Sequence, residues 1–187
     1  MCSSDLVEAT IRGRLGDAVW GADGETLEDV VCGLLAARGQ SLAVLEAGGA
    51  TGGQVARLLS RATAPAPVVS ALVVPQPTAP ALARAGFPGV DPLGEGGVAA
   101  LAAALRARQT VDLALVSAGA LPGGRDDGRV ECELWVALAG GAGSGDGRAL
   151  VRRLPIRAAR GELQRLATLQ ALNLLRKELL RMEGERG

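Results

Sequence analysis

The chain has 187 residues, room for one ordinary domain, and 48% are hydrophobic while only 2% are aromatic, with one Phe and no Tyr, so its core must be aliphatic. Twenty basic and twenty acidic side chains cancel and no long stretch carries one sign, which excludes the electrostatic footprint of a nucleic-acid or anionic-membrane binder. The three cysteines, Cys2, Cys32 and Cys132, are far apart and form no CxxC pair, and no apolar run nears roughly 18 residues, so no disulfide framework, zinc site or transmembrane helix is expected.

In chain order, residues 1–6, MCSSDL, back-translate as the end of a common short-read sequencing adapter and are read as an artefact; the other reading is a genuine short polar N-terminus. Residues 7–25, including RLGDAVWGADG, are then the remnant of an upstream domain or a linker, and 26–183 the domain itself. In TLEDVVCGLLAARG, Thr26 is an N-cap, acidic residues fill the first turn and apolar ones recur at Val30, Val31, Leu34 and Leu35. Gly39 closes it, so the segment predicts a helix. SLAVLEA (41–47) is a buried strand running into a glycine turn, and GGQVARLLSRA (52–62) restores helical spacing. VVSALVV (68–74) is a second strand; five prolines in 75–92 then leave room for a short helix near 78–85 at most.

GVAALAAALRAR (97–108) is helical, and VDLALVSAG (111–119) is a third strand ending in small residues. After the turn ALPGGRDDG, the alternation of VECELWVALAG (130–140) predicts a strand with RALVRRLPIR (148–157) as its hairpin partner. RGELQRLATLQALNLLRKELLRM (160–182) spaces leucines three and four apart, an amphipathic helix that lays its stripe on the sheet. Cys32, Cys132, Trp20 and Trp135 read as packing residues. Asp126 and Asp127 lie in an exposed turn rather than a metal site, and no cofactor is expected.

Strands alternating with helices imply βαβ crossovers: an α/β fold, a three-layer α/β/α sandwich with a mixed, mainly parallel sheet to which the late hairpin adds antiparallel edge strands. Such folds place ligands at the carboxyl ends of strands, where two small-residue turns fall, 46–53 and 117–124. Their glycines either permit tight turns or let backbone N–H groups hold an anion at a helix N-terminus. Two such turns at like places favour a site.

The order of these segments resembles the C-terminal domain of CinA, the competence and damage-inducible protein, a family that includes nicotinamide mononucleotide deamidases. The resemblance covers residues 11–181. RLGDAVWGADGETLEDVVCGLLAARG looks like the family's approach segment and first helix. LEAGGATGG stands where the family has a strand leading to Glu-Ser-Cys-Thr-Gly-Gly, and SAGALPGG where it has Thr-Gly-Ile-Ala-Gly-Pro-Gly-Gly. ELWVALAG, VRRLPI, Arg160 and the long last helix follow in the family's order.

The resemblance implies hydrolysis of the carboxamide of nicotinamide mononucleotide by the serine of that turn, assisted by Tyr and Lys residues downstream. Here the serine position holds Ala47 counting from Glu46, or Gly49 counting back from Thr51, Gly52 and Gly53; the loop is two residues longer than the family's. The assisting positions, aligned back from Gly86, hold Gln76 and Ala81. No His or Tyr occurs in the chain, and its single Lys, Lys177, lies in the terminal helix. The expectation is a deamidase-deficient domain kept as a nucleotide-binding, regulatory or structural module. The alternative is an active deamidase with a relocated hydroxyl such as Thr51.

The ligand-binding set carried over comprises Glu46, Ala47, Gly48, Gly49, Thr51, Gly52, Gly53, Ser117, Ala118, Gly119, Pro122, Gly123 and Arg160. Thr51 is either this nucleophile or the cap of the following helix. Glu46 is either a polar group of the pocket or a carboxylate binding N–H groups of its own turn, the latter preferred. Arg160 is either a pocket residue or a solvated helix start. The resemblance further implies a pyridine nucleotide as ligand, a homo-oligomer and a fused N-terminal domain like molybdopterin-binding enzymes; the scattered cysteines point to a cytoplasmic location, and the balanced charge to neither nucleic acid nor membrane as partner.

Overall fold

The structure, a computed structural model, describes residues 24–64, 67–121, 123, 129–140 and 148–184. The readings of residues 1–23, Trp20, Pro122, Asp126 and Asp127 lie outside these residues. Thr26 starts helix α1 (Leu27–Ala37) with a capping box: its hydroxyl accepts from Asp29 N, and the Asp29 carboxylate accepts from Thr26 N. Strand β1 (Leu42–Ala47) is buried along its whole length and leads to the short helix α2 (Gln54–Leu59). Strand β2 (Val68–Val74) follows, then α3 (Ala79–Arg84), α4 (Glu95–Gln109) and β3 (Leu113–Ala118). Strands β4 (Arg129–Ala139) and β5 (Leu150–Ala159) lead into α5 (Arg160–Gly184).

The five strands form one sheet in the order β2-β1-β3-β4-β5. β1 pairs in parallel with β2 and β3, while β4 runs antiparallel to both β3 and β5, so β4 alone is reversed. β4 therefore sits inside the sheet, and only β5 is an edge strand of the late hairpin. Side chains of β1 and β3 alternate between two cores. Leu42, Val44, Leu113 and Leu115 meet α1, α2 and α5, whereas Ala43, Leu45, Ala114 and Val116 meet α3 and α4. Helices thus cover both faces, as the alternation of elements predicts.

Boundaries move where backbone geometry overrides periodicity. α2 begins at Gln54 rather than 52 because Gly52 and Gly53 take φ of +58° and +85°, outside the right-handed helix region. β5 runs two residues past the expected end because Ala158 and Ala159 still pair with Val130 and Arg129.

Candidate functional site

β1 and β3 are adjacent, parallel and in register, so their carboxyl ends bring Glu46 opposite Ser117. Both belong to the alternation that faces α1, α2 and α5. Glu46 is fully buried. Its carboxylate accepts from the N–H of Gly53 (3.0 Å), Val55 (3.3 Å) and Ala56 (2.9 Å), the first turn of α2. The N-cap of that helix is Gly53, which offers no side-chain acceptor, so Glu46 satisfies N–H groups that would otherwise be orphaned. The anion held at this helix N-terminus is the chain's own carboxylate.

Thr51 lies in the turn between β1 and α2, and its hydroxyl does not cap the helix. Instead Thr51 Oγ1 and Ser117 Oγ hydrogen-bond at 2.9 Å, both residues being 2% exposed. The two turns are zipped together by backbone as well. Gly119 N donates to Ala47 O and Ala50 N to Gly119 O, each at 3.0 Å, while Gly48 N donates to Val74 O at 2.7 Å. Gly48 has φ +94°, and a Cβ there would lie 2.2 Å from Gly119 O. Its glycine therefore answers a need for close approach as well as for a left-handed turn.

Ala47 and Ala118 point the other way, into the core shared with α3 and α4. A Cβ on Gly49 would meet Leu121 Cβ at 3.1 Å, and one on Gly52 the amide of Gln164 at 2.6 Å. Gln164 of α5 was not foreseen at this site. Its Nε2 donates to Gly49 O at 2.8 Å, tying the last helix to the first turn. The available signal was its place one helical turn after Arg160, which puts the two on one face of α5. Arg160 itself is half-buried at the first position of α5, and Gly123 has open space around its Cα.

Beside Gln164, a cleft of about 350 Å³ opens between α2 and α5, lined among others by Gln54, Arg57, Arg165, Thr168 and Leu169. It offers carboxamides and guanidinium groups over an apolar wall. Arg57 Nε donates to Gln54 Oε1 and Arg165 is paired with Glu162, so these groups form a polar rim. Cys132 reaches the same end of the sheet, where its thiol donates to Ala120 O at 3.3 Å. Burial pushes that thiol above its ordinary range, so it stays protonated and is no thiolate nucleophile. Among the described residues no cluster of His, Cys, Asp and Glu could hold a metal ion, and no helix is long and apolar enough to cross a membrane.

No family model matches the chain. It is 34% identical over 180 residues to a CinA-like protein of Anaeromyxobacter sp. (strain Fw109-5), covering 92% of this chain and 42% of that protein. A CinA-like protein of Gloeobacter violaceus is 31% identical over 184 residues, with 95% of this chain and 42% of that one covered. The chain thus spans less than half the length of these relatives. Among solved structures, a competence-damaged protein (CinA) superfamily protein of Klebsiella pneumoniae superposes with a TM-score of 0.67 at 20% identity, over 83% of this chain and 96% of that one. A competence or damage-inducible protein of Enterobacter asburiae gives 0.66 at 20% identity, over 83% and 99%. Those structures share the fold, the relatives share the sequence across nearly the whole chain, and the chain belongs to the CinA C-terminal domain family.

Proposed function

We propose that this chain is a CinA C-terminal domain without deamidase activity, which binds a pyridine-nucleotide-like ligand beside the 46–53 turn and leaves its amide intact. The observation that carries the reading is the Thr51–Ser117 pair: the hydroxyls best placed to replace the missing serine are buried and bonded to each other. A nucleophile needs an exposed hydroxyl and a base to take its proton. Glu46, the nearest carboxylate in register with Ser117, spends its oxygens on three backbone N–H groups. Lys177 lies thirteen residues beyond Gln164, about 20 Å along α5. Both alternative serine positions are also closed, Ala47 by the second core and Gly49 by Leu121.

The cleft between α2 and α5 is the seat this reading gives the ligand, since Arg57 and Arg165 suit a phosphate and Leu58 and Leu169 a ring face. The chain's share of its longer relatives supports a place downstream of a further domain, of the molybdopterin-binding kind implied by the resemblance.

Incubating the purified chain with nicotinamide mononucleotide and measuring ammonia release tests the chemistry. No release above the protein-free blank is expected; turnover that disappears in Thr51→Ala would overturn the proposal. Calorimetric titration with the same nucleotide tests binding. Heat that weakens at least tenfold in Arg57→Ala is expected, and no heat at all would reduce the domain to a structural module.

A further inference from the structure

Where the second half of α5 passes β5, the charges on the surface are out of balance. Leu174, Lys177, Glu178 and Arg181 recur three and four residues apart, so they share one face of the helix. Leu150 and Arg152, two apart on β5, point to the side of the sheet that α5 covers. Between them runs a groove of about 430 Å³, which Leu180 also lines. That volume is in the range of small-molecule sites. Three half-buried leucines make its apolar floor, and the exposed Lys177, Arg181 and Arg152 its rim.

The rim is not neutralised within the groove. Lys177, the single lysine of the chain, makes no hydrogen bond or ion pair among the described residues. Arg152 donates to Val151 O, a carbonyl rather than a carboxylate. Glu178 is the acid of the groove, 4% exposed and 3.8 Å from Arg181. Three cations around one carboxylate leave an excess of two positive charges, in a chain whose total charge is zero. The dipole of α5 suits a cation in its last turn, where Arg181 stands. It accounts for neither Lys177, a turn further back, nor Arg152, which belongs to a strand.

We propose that this groove is a second ligand site, which takes a phosphate monoester with a short apolar body. Such a phosphate carries roughly −1.5 to −2 charges near pH 7, enough to match the excess, where a carboxylate would match half of it. Arg152 and Arg181 offer planar N–H forks that fit phosphate oxygens, and Lys177 adds a compact charge. The apolar body then lies on Leu150, Leu174 and Leu180, removing them from water. The groove shares no lining residue with the cleft between α2 and α5, so the two sites fill independently.

Titrating the full chain with hexyl phosphate while following its backbone amides by NMR tests the site. Shifts are expected in residues 150–152 and 174–181. Inorganic phosphate, without an apolar body, should bind at least about fivefold more weakly. Lys177→Gln and Arg152→Gln should each weaken hexyl phosphate at least about fivefold, the loss of one charge-assisted hydrogen bond. Both side chains are exposed, so the circular dichroism spectrum should not change. Arg153→Gln removes the same charge from the other face of β5, where Arg153 is bonded to Glu133, and should leave the affinity unaltered. Shifts confined to residues 54–58 and 161–169 would put the probe in the other cleft alone and overturn the proposal, as would no shift at all. Equal weakening by Arg153→Gln and Arg152→Gln would reduce the binding to diffuse attraction and overturn it too. Equal affinity for inorganic and hexyl phosphate would overturn the ligand class.

Discussion

At the start of α1, the groups that satisfy the helix and close its turn lie three residues apart, Thr26 and Asp29, on an exposed surface. At the start of α2 they come from Glu46, seven to ten residues earlier, fully buried on the neighbouring strand. The first arrangement is local: losing it frays one turn. The second couples β1 to α2 across a glycine turn that has no capping side chain of its own, so one carboxylate fixes the turn's shape and neutralises the helix dipole. The glycine turn between β1 and α2 is thereby held by a carboxylate of its own chain.

The sharpest way to break this contrast is Glu46→Ala. It strips three N–H groups of their acceptor in a largely buried setting, where an unsatisfied donor costs about 1–3 kcal/mol, so a loss of at least about 3 kcal/mol is expected against a domain stability of roughly 5–15 kcal/mol. Urea unfolding should show it, and Glu46→Gln, which keeps one acceptor oxygen, should recover part of the loss. If Glu46→Ala costs no more than a surface substitution, the carboxylate is not what holds the turn.

Next comes Gly48→Ala. The new Cβ would stand at φ +94° and 2.2 Å from Gly119 O, a backbone atom held by its own hydrogen bonds. A loss above about 2 kcal/mol is expected from strain and forced separation of the two turns. Gly39→Ala, also at positive φ but with open space around it, provides the comparison. It should carry only the conformational part, so near-equal losses in the two variants would show that the close contact of the turns contributes nothing.

How much of this was legible follows the same division. The cap of α1 could be read because its partners lie within one helical turn, and the strands because β1 and β3 are short apolar runs bounded by turn residues. Glu46 as a carboxylate binding N–H groups of its own turn is a reading within local reach, since the groups it accepts from lie seven to ten residues on. The pairing of Thr51 with Ser117 escaped, since Thr51 reads locally as a cap, whereas Ser117 lies 66 residues away and is brought close only by the β1–β3 register. Gln164, 115 residues from Gly49, is beyond local pattern altogether. The glycines were visible as a cluster, but that Gly48 must admit a carbonyl from a second turn is a fact of packing.

Thr26→Ala tests the local half of the comparison. Removing an N-cap hydroxyl costs about 1 kcal/mol, and the loss should be confined to α1, read as faster amide exchange in its first turn with α2 unchanged. Glu46→Ala should do the reverse. Exchange that rises in both helices in either variant would mean the two starts form one cooperative unit.

The smallest effect is in the pH dependence of the α1 cap. The hydrogen bond from the Thr26 hydroxyl, followed by those from Thr63, holds the Asp29 carboxyl down from 3.8 to about 2. As the pH falls below the ordinary carboxylate range the unfolded chain takes up this proton before the folded one, so stability falls with pH. The contribution is whole above about pH 4, and it is lost as the pH drops through about 2. Asp112 and Glu133 are held low as well, by Ser41 and Arg153, and add slopes of the same sign. The wild-type curve alone therefore cannot isolate Asp29; the difference between wild type and Asp29→Asn can. That difference in urea midpoint should be constant above pH 5 and shrink toward pH 2, and a difference that does not change with pH would mean the asparagine reproduces what the carboxylate does at the cap.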